Sequence, residues 1–265
     1  MSTKNERAVA ARAKAQAQVR AKERRTTVLI VAASAVVLAL FAGVIFFIVN
    51  AGKVPPLSDA HAPSVATENG GIPVGTGGVA GKDVPANAVR VDIYQDFMCP
   101  ICNQFEQVNG ADLDALREAG TIALYYHPIS ILDRASAGTK YSTRTANAAA
   151  TVADQAPESF LAFQSALYAN QPQENTTGLD NATIAQIAVG AGVPQTVADD
   201  FASGDFTKWA IAATDRASQD GMTGTPTVMV GGHILQQADV SYFNPGALKA
   251  YLQAVADGTA QAPTG

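Results

Sequence analysis

The chain contains two cysteines, Cys99 and Cys102, separated by two residues. They follow a segment of alternating apolar residues, Val89–Tyr94, which is typical of a strand. They precede a pattern of helical spacing that continues to about Gly120. Two cysteines in the first turn of a helix are close enough to form a disulfide bond. The spacing therefore predicts a small reversible disulfide where a strand passes into a helix.

The position of the pair predicts a different role for each sulfur. Cys99 faces the unpaired N–H groups and the positive end of the helix dipole, which both favour the thiolate that attacks in disulfide exchange. Pro100 suits the first helical turn because the N–H that it lacks would have no partner there. We expect Cys99 to be the exposed nucleophile and Cys102, one turn further on, the buried resolving thiol. Ile101 completes the motif.

Three other interpretations compete with redox chemistry. A structural zinc site needs four ligands, and the three histidines, His61, His127 and His233, form no paired motif, so no metal is predicted. A passive disulfide across so short a loop would stabilise the fold little, since it constrains few residues. Two inert core thiols are the third interpretation, which does not suit a protein exported to an oxidising environment.

The composition predicts a folded chain with unevenly distributed charge. Hydrophobic residues make up 48% and charged residues 15% of the 265 residues, which excludes a wholly disordered protein. Residues 1–25 carry eight basic and two acidic side chains, whereas the remainder carries ten basic and 21 acidic ones. Because nucleic-acid binding needs clustered cations, nucleic acid is not expected as a partner of the main body.

An uncharged apolar segment, Val28–Val49, follows the basic arm. Its 22 residues would form a helix of about 33 Å, enough to cross a hydrocarbon core of roughly 30 Å. The positive charge before it predicts a cytoplasmic N-terminus and a catalytic domain outside the membrane. We therefore expect a single-pass protein of the cell membrane, held by an uncleaved signal-anchor. The alternative is a cleaved signal peptide, with a loosely matching cleavage site at Val49–Ala51.

The remaining sequence predicts a β-α-β unit, a helical block and a β-β-α unit. The further elements are a strand at 122–127, helices within 136–219, a hairpin at 227–236 and a helix from Asn244 to about Ala256. Asp180 or Asn181, and Asp205, are candidate N-caps in the helical block. The predicted boundaries are a basic arm at 1–27, an anchor at 28–49, a flexible linker at 50–70, a folded domain at 71–259 with a helical insertion at about 136–219, and a tail at 260–265.

Several motifs together carry a resemblance to a known family. They are Tyr94–Cys102 (YQDFMCPIC), Phe105–Glu106, the Ala-rich stretch 139–172 that ends in LYANQP, and Gly224–Thr227 (GTPT). Over about residues 70–259 the chain resembles the DsbA family of thioredoxin-fold disulfide oxidoreductases. It is most similar to the membrane-anchored members of high-GC Gram-positive bacteria. The resemblance implies a thioredoxin-like α/β fold with an inserted helical domain.

The resemblance also implies the roles of individual residues. Cys99 and Cys102 are then the redox pair, with Pro100 and Ile101 supporting it. Thr225 and Pro226 are joined by a cis peptide bond beside the pair, and the Thr225 backbone offers hydrogen bonds to a substrate strand.

Two positions depart from the family pattern. Many relatives have an acidic residue six positions before the first cysteine, where this chain has Ile93. The more strongly oxidising members have a histidine where it has Ile101. Gln95 and Asp96 are nearer to the motif but carry no firm assignment. We therefore expect a moderately oxidising pair, since Ile93 supplies no neighbouring carboxylate to oppose the Cys99 thiolate.

These expectations combine into an extracytoplasmic thiol-disulfide oxidoreductase that introduces disulfides into exported proteins with free thiols. It would need no cofactor. The resemblance suggests reoxidation by a quinone-linked membrane partner of the DsbB or vitamin-K-epoxide-reductase type. A disulfide reductase or isomerase of the same fold is the alternative within this class. A non-redox, membrane-tethered module that holds extended peptides is the alternative of a different class, although binding alone needs no cysteine pair.

Overall fold

The computed structural model describes residues 54–264 continuously, and before them residues 38–45 with scattered single helical positions. It divides the chain into two units, 1–53 and 54–265. The predicted arm (1–27) and anchor (28–49), together with the alternative cleavage site, therefore fall largely outside the described residues. Among the residues that are described, no helix is both long and apolar enough to cross a membrane.

The second unit contains strands and helices in an alternating order. The strands are β1 (Ile72–Val74), β2 (Val89–Gln95), β3 (Ile122–Pro128), β4 (Thr227–Val230) and β5 (His233–Ile234). The helices are α1 (Pro100–Glu118), α2 (Tyr141–Gln155), α3 (Phe160–Ala169), α4 (Asn181–Gly190), α5 (Gln195–Asp199), α6 (Thr207–Gln219) and α7 (Ala247–Ala256). Short 3₁₀ turns lie at Leu57–Asp59, Asp133–Ala135, Pro157–Ser159 and Asp200–Ser203.

The strands form one mixed sheet in the order β1-β3-β2-β4-β5. β2 and β3 are parallel and are joined by α1, as a parallel pair requires, whereas the other neighbours are antiparallel. Ile93 in β2 stands opposite Tyr126 in β3 and Val228 in β4, so β2 is the central strand. This is the predicted thioredoxin-like α/β arrangement, and the cysteine motif follows directly from the central strand.

Successive side chains along β2 point to opposite faces of the sheet and pack in two separate hydrophobic clusters. Val91 and Ile93 belong to the main core, which also contains residues of α1 and α7. Tyr94 points to the opposite face and packs in a smaller cluster with Ala217 and Met229. Because a strand projects successive side chains to opposite faces, both clusters pack against the strand that leads to the cysteines.

Helices α2 to α6 all lie between β3 and β4, in a block that spans residues 141–219. Asp180 caps α4, because its Oδ1 accepts the Thr183 N–H at 2.7 Å. Asp205, the other candidate cap, does not cap α6, which has Phe206 at that position. The last helix begins at Ala247 rather than Asn244, since Gly246 before it has φ +77°, outside the helical region.

Part of the predicted flexible linker is packed on the folded unit. Leu57 and Val65 contact the main core, His61 stacks on Phe206 at 5.2 Å, and the Ser64 N–H donates to Asp154 Oδ1 at 2.7 Å. The linker prediction at 50–70 was therefore too long at its C-terminal end. The Gly and Pro residues there shape turns, while the few apolar side chains between them supply contacts that composition does not reveal.

Candidate active site

The cysteine pair lies at the junction of β2 and α1. Cys99 is the N-cap of α1 and its N–H donates to the Asp96 carbonyl at 3.0 Å, so a tight turn follows the strand. Pro100 is the first residue of the helix, as its missing N–H predicted. The Cys102 N–H donates to the Cys99 carbonyl at 3.1 Å. The two side chains are therefore held on the first helical turn.

Both cysteines are free thiols, and both are buried. Cys102 is 1% exposed, which agrees with the expected resolving thiol. Cys99 is only 6% exposed, so the expectation of an exposed nucleophile was wrong. The loop before β4 covers it, a contact between positions more than 120 residues apart that the local sequence cannot reveal. Ile101 is instead the exposed residue of the motif, at 48%.

The covering loop contains Thr225 and Pro226, whose peptide bond is cis, the isomer that the resemblance implies. The pairing of β4 with β2 brings this loop to the cysteines. The Cys99 thiol donates to the Thr225 carbonyl at 3.3 Å. The Thr225 side chain favours the thiolate form of both cysteines by hydrogen bonding.

The surroundings shift the pKa values of the two thiols in opposite directions. The hydrogen bond with Cys102 outweighs the effect of burial and, with the Thr225 side chain and the N–H groups of Cys102 and Ile101, lowers the pKa of Cys99 to about 6. Burial, followed by the interaction with Cys99, raises the pKa of Cys102 well above its usual value. Near neutral pH the pair therefore consists of one thiolate and one thiol.

The helical block contacts the cysteine turn through Gln171, just after α3. Its Nε2 donates to the Phe97 carbonyl at 3.0 Å and to the Cys99 carbonyl at 2.9 Å. Asn103 in α1 donates to Gln171 Oε1 at 3.2 Å and to the Tyr168 carbonyl at 3.1 Å. Sequence reasoning did not assign a role to Gln171, although it stands within the LYANQP motif that supports the resemblance.

A buried carboxyl group, that of Asp96, lies in the turn that leads to the cysteines. The side chain of Asp96 is fully buried, and this burial raises its pKa to about 7, with a smaller contribution from the charge of Cys99. Because such an interaction is mutual, the ionised carboxylate opposes the Cys99 thiolate. Ile93, the position at which many relatives have an acidic residue, lies in the main core as an apolar residue should.

A second buried carboxyl belongs to a different group of residues on β2 and β3. Asp92 Oδ1 lies 2.9 Å from His127 Nε2, and the Arg90 guanidinium donates to both carboxylate oxygens at 2.6 and 2.7 Å. The His127 ring stacks on Tyr94 at 4.0 Å. His127 is therefore engaged in packing and pairing within the sheet.

Comparisons with known proteins agree with this architecture. A family model described as thioredoxin matches residues 77–244. The structure is similar to reduced DsbA from Mycobacterium tuberculosis, with 28% identity, a TM-score of 0.54, and coverage of 71% of this chain and 99% of that one. It is also similar to the reduced disulfide bond oxidoreductase DsbG from the same organism, with 29% identity, a TM-score of 0.55, and coverage of 73% and 97%.

Among curated proteins, the serine/threonine-protein kinase PknE of Mycobacterium tuberculosis is 31% identical over 160 residues. The match covers 57% of this chain but 28% of the kinase. The chain is therefore similar to about a quarter of that protein's length.

Proposed function

The chain belongs to the thioredoxin family and is, by structure, a thiol-disulfide oxidoreductase of the DsbA type; from this premise we propose that it oxidises thiol pairs in exported proteins. Cys99 is the sulfur that exchanges with substrate, and Cys102 is the resolving thiol. Thr225 and Pro226 form the wall against which a substrate strand lies, and the exposed Ile101 contacts the substrate beside them.

The reaction takes two exchange steps. A substrate thiolate attacks Cys99 Sγ in the Cys99–Cys102 disulfide, which forms a mixed disulfide and releases the Cys102 thiolate. Cys102 then takes up one of the two protons that the substrate thiols lose. A second substrate thiolate then attacks the substrate sulfur of the mixed disulfide and releases the Cys99 thiolate. The substrate loses two electrons and gains a disulfide bond, while the protein's disulfide is reduced.

This proposal is carried by the opposite shifts in the pKa values of the two thiols. The lowered pKa of Cys99 makes it a good leaving group in the second step and stabilises the reduced state of the pair. A reduced state that is stabilised relative to the disulfide makes the disulfide an oxidant. The raised pKa of Cys102 keeps that sulfur protonated, so it does not compete for substrate.

The reduction potential tests the direction of electron flow. The full-length protein in detergent is equilibrated with mixtures of reduced and oxidised glutathione, and the free thiols are then counted. We expect a potential above that of thioredoxin, about −270 mV, and below that of the strongest oxidant of the family, about −120 mV. A value at or below that of thioredoxin would promote the alternative of a reductase. Cys102→Ser, which cannot form the internal disulfide, corrects for glutathione bound to Cys99.

Activity assays separate the remaining alternatives. Oxidation of a dithiol peptide supports the oxidase, reduction of insulin supports a reductase, and repair of a scrambled disulfide protein supports an isomerase. Binding of extended peptides without any of these activities would identify a non-redox binding module. Such a module would not need the contact between Cys99 and Thr225, because a peptide-binding groove needs no thiol.

We further propose that the domain works outside the membrane and is reoxidised by a quinone-linked membrane protein of the DsbB or vitamin-K-epoxide-reductase type. The support is the positive charge before Val28–Val49 and the need of an oxidase for an electron acceptor. Fractionation of cells that express the full-length protein should leave it with the membranes. Release of a soluble fragment beginning near Gly52 would identify a cleaved signal peptide instead.

A further inference from the structure

An amide side chain from the helical block spans the cysteine turn, residues 96–99. Gln171 lies 72 positions beyond Cys99, and its Nε2 donates to the carbonyl groups of both Phe97 and Cys99, at 3.0 and 2.9 Å. The two carbonyls lie on either side of Met98, so one amide ties together the backbone before and after that residue. The helical block therefore holds the stretch of backbone from which the Cys99 side chain projects.

Neighbouring amides on α1 hold Gln171 in one orientation. Two carbonyl oxygens face its Nε2, so this end of the side chain must be the NH₂ group. The other end, Oε1, accepts a hydrogen bond from Asn103 Nδ2 at 3.2 Å, and Asn103 Oδ1 accepts one from Gln107 Nε2 at 3.0 Å. The three amides form a chain from the exposed Gln107 to the Cys99 carbonyl, with every N–H directed toward the turn. Hydrogen bonds aligned in this way strengthen one another.

The start of α1 does not depend on Gln171. The Cys99 carbonyl also accepts the N–H groups of Cys102 and Asn103, at 3.1 and 3.2 Å, which are the first hydrogen bonds of the helix. Loss of the Gln171 amide would leave these bonds in place and release the turn before them. The expected change is therefore in the direction of the Cys99 side chain rather than in the fold.

The direction of this side chain matters because Cys99 is the N-cap of α1. An N-cap side chain faces the free N–H groups of the second and third helical residues, which are here Ile101 and Cys102. Both of these N–H groups lower the pKa of Cys99. A turn that is free to move would hold the sulfur less closely against them, which makes the thiolate less stable.

We propose that Gln171 is a positioning residue for Cys99: held in one orientation by Asn103, its amide fixes the cysteine turn so that the Cys99 thiolate lies against the N–H groups of α1. This inference rests on the proposed function, to which it adds a residue of the helical block. Gln171 acts through the backbone of the turn and takes no part in the exchange of electrons. Because a less stable thiolate means a less stable reduced state, the helical block sets part of the oxidising strength of the pair.

The test compares wild type, Gln171→Met and Gln173→Met, all as full-length proteins in detergent. Methionine keeps the length of the side chain but donates no hydrogen bond. Gln173 is the matched control because it is exposed, two positions further along the same loop. In Gln171→Met the ratio of reduced to oxidised protein in glutathione at pH 8 should fall about fivefold, the scale of one hydrogen bond. Thiolate absorbance should show a matching rise in the Cys99 pKa, and Gln173→Met should change neither quantity.

The pH profile separates this role from a purely structural one. At pH 5, below the Cys99 pKa of about 6, Cys99 is protonated in the reduced state of wild type and variant, so their ratios should agree. The difference should appear as the pH rises through 6 and 7. An equal difference at pH 5 and pH 8, no difference at either, or the same difference in Gln173→Met would overturn the proposal. These outcomes compare variants, so they do not depend on the absolute potential that tests the proposed function.

A second variant, Asn103→Ala, serves if Gln171→Met does not fold. Alanine suits a helix interior, and the change removes the donor that orients Gln171. The Cys99 pKa should rise with the same pH signature, but by less than in Gln171→Met, because the Gln171 amide can still reach the two carbonyls. Where both variants fold, their combination should match Gln171→Met alone, since Asn103 acts through Gln171. An unchanged Cys99 pKa in Asn103→Ala, or additive effects in the combined variant, would overturn the proposal.

Discussion

Two buried aspartates, Asp92 and Asp96, stand four positions apart at the end of the central strand. Their surroundings shift their pKa values in opposite directions. Burial alone would raise the pKa of Asp92, but hydrogen bonds from His127 and Arg90 outweigh it and the pKa is lowered. Asp96 is equally buried and receives N–H groups but, within residues 54–264, no cation, and burial raises its pKa to about 7. Residue type and burial are the same, so the charge of the partners decides the outcome.

The difference separates a structural region from a reactive one. In the Asp92 region, formed by Arg90, Asp92, Tyr94 and His127, a permanent charge is compensated and joins β2 to β3. In the Asp96 region, formed by Asp96 and the cysteine turn with Tyr141 and Tyr168, the charge is left uncompensated where a thiolate appears and disappears. A group that is poised between its two protonation states can respond to that thiolate, whereas Asp92, which is held ionised beside the Arg90 guanidinium, cannot.

The largest effect is expected from removing the reactive thiol of the Asp96 region. Cys99→Ser should lower exchange with a dithiol peptide at least a thousandfold, about 4 kcal/mol in activation free energy, because the attacking thiolate is lost. Cys102→Ser should accumulate mixed disulfides between Cys99 and substrate. Both variants should remain folded, as circular dichroism can check, since the free thiols crosslink nothing. Stable adducts on Cys102 in Cys99→Ser would reverse the assignment.

The next effect is the pH dependence of stability in the reduced protein. A raised pKa in the folded state means that folding binds a proton, so the stability that Asp96 contributes is present below its unfolded pKa of about 4 and is lost as the pH rises through about 7. The unfolding free energy of wild type minus that of Asp96→Asn should therefore fall between pH 4 and 7, on the order of 4 kcal/mol. Urea titrations at several pH values measure it. A flat difference would contradict the contrast with Asp92.

The fold and the thiol pair could be predicted from sequence because their signals are local. Alternation in Val89–Tyr94 and the helical spacing after Cys99 each fit within one element, and the structure has both elements at nearly those bounds. The Gly-Thr-Pro-Thr motif gained its meaning from the resemblance rather than from its own pattern, since a proline before a strand is ordinarily a turn device.

What the sequence did not predict depends on contacts between distant segments. Cys99 is buried by Thr225, and Gln171 reaches the cysteine turn from the helical block. Asp96 is a common turn residue by type, and the burial that raises its pKa involves distant residues such as Leu132, whose N–H donates to Oδ2. Similarly, residues near Leu57 have the composition of a linker, yet a few apolar side chains are enough to hold them on the core.

A smaller effect should follow from removing the cation of the Asp92 region. Arg90→Ala leaves Asp92 with His127 alone, and the Asp92 pKa should rise as it does at Asp96. The loss of unfolding free energy at neutral pH should be about 2 kcal/mol, below the usual 3–5 for a broken buried pair because the Arg90 side chain is 37% exposed. The loss should shrink toward pH 4, where Asp92 can protonate. Arg216→Ala, which breaks an exposed pair with Asp220, is the control and should change stability by less than about 1 kcal/mol.

The smallest effect is expected from a variant that adds a positive charge to the Asp96 region. Ile101 is exposed beside the Cys99 thiolate, so Ile101→His should place an imidazolium there without disturbing the core. That charge favours the thiolate over the disulfide and should raise the reduction potential by about 30 mV, roughly 1.4 kcal/mol for a two-electron couple. The gain should fade above about pH 6.5 as the imidazole loses its proton, whereas the neutral control Ile101→Gln should show no such pH dependence. Equal potentials for the histidine and glutamine variants at pH 6 would mean that hydrogen bonds alone, and not the balance of charge, set the strength of this pair.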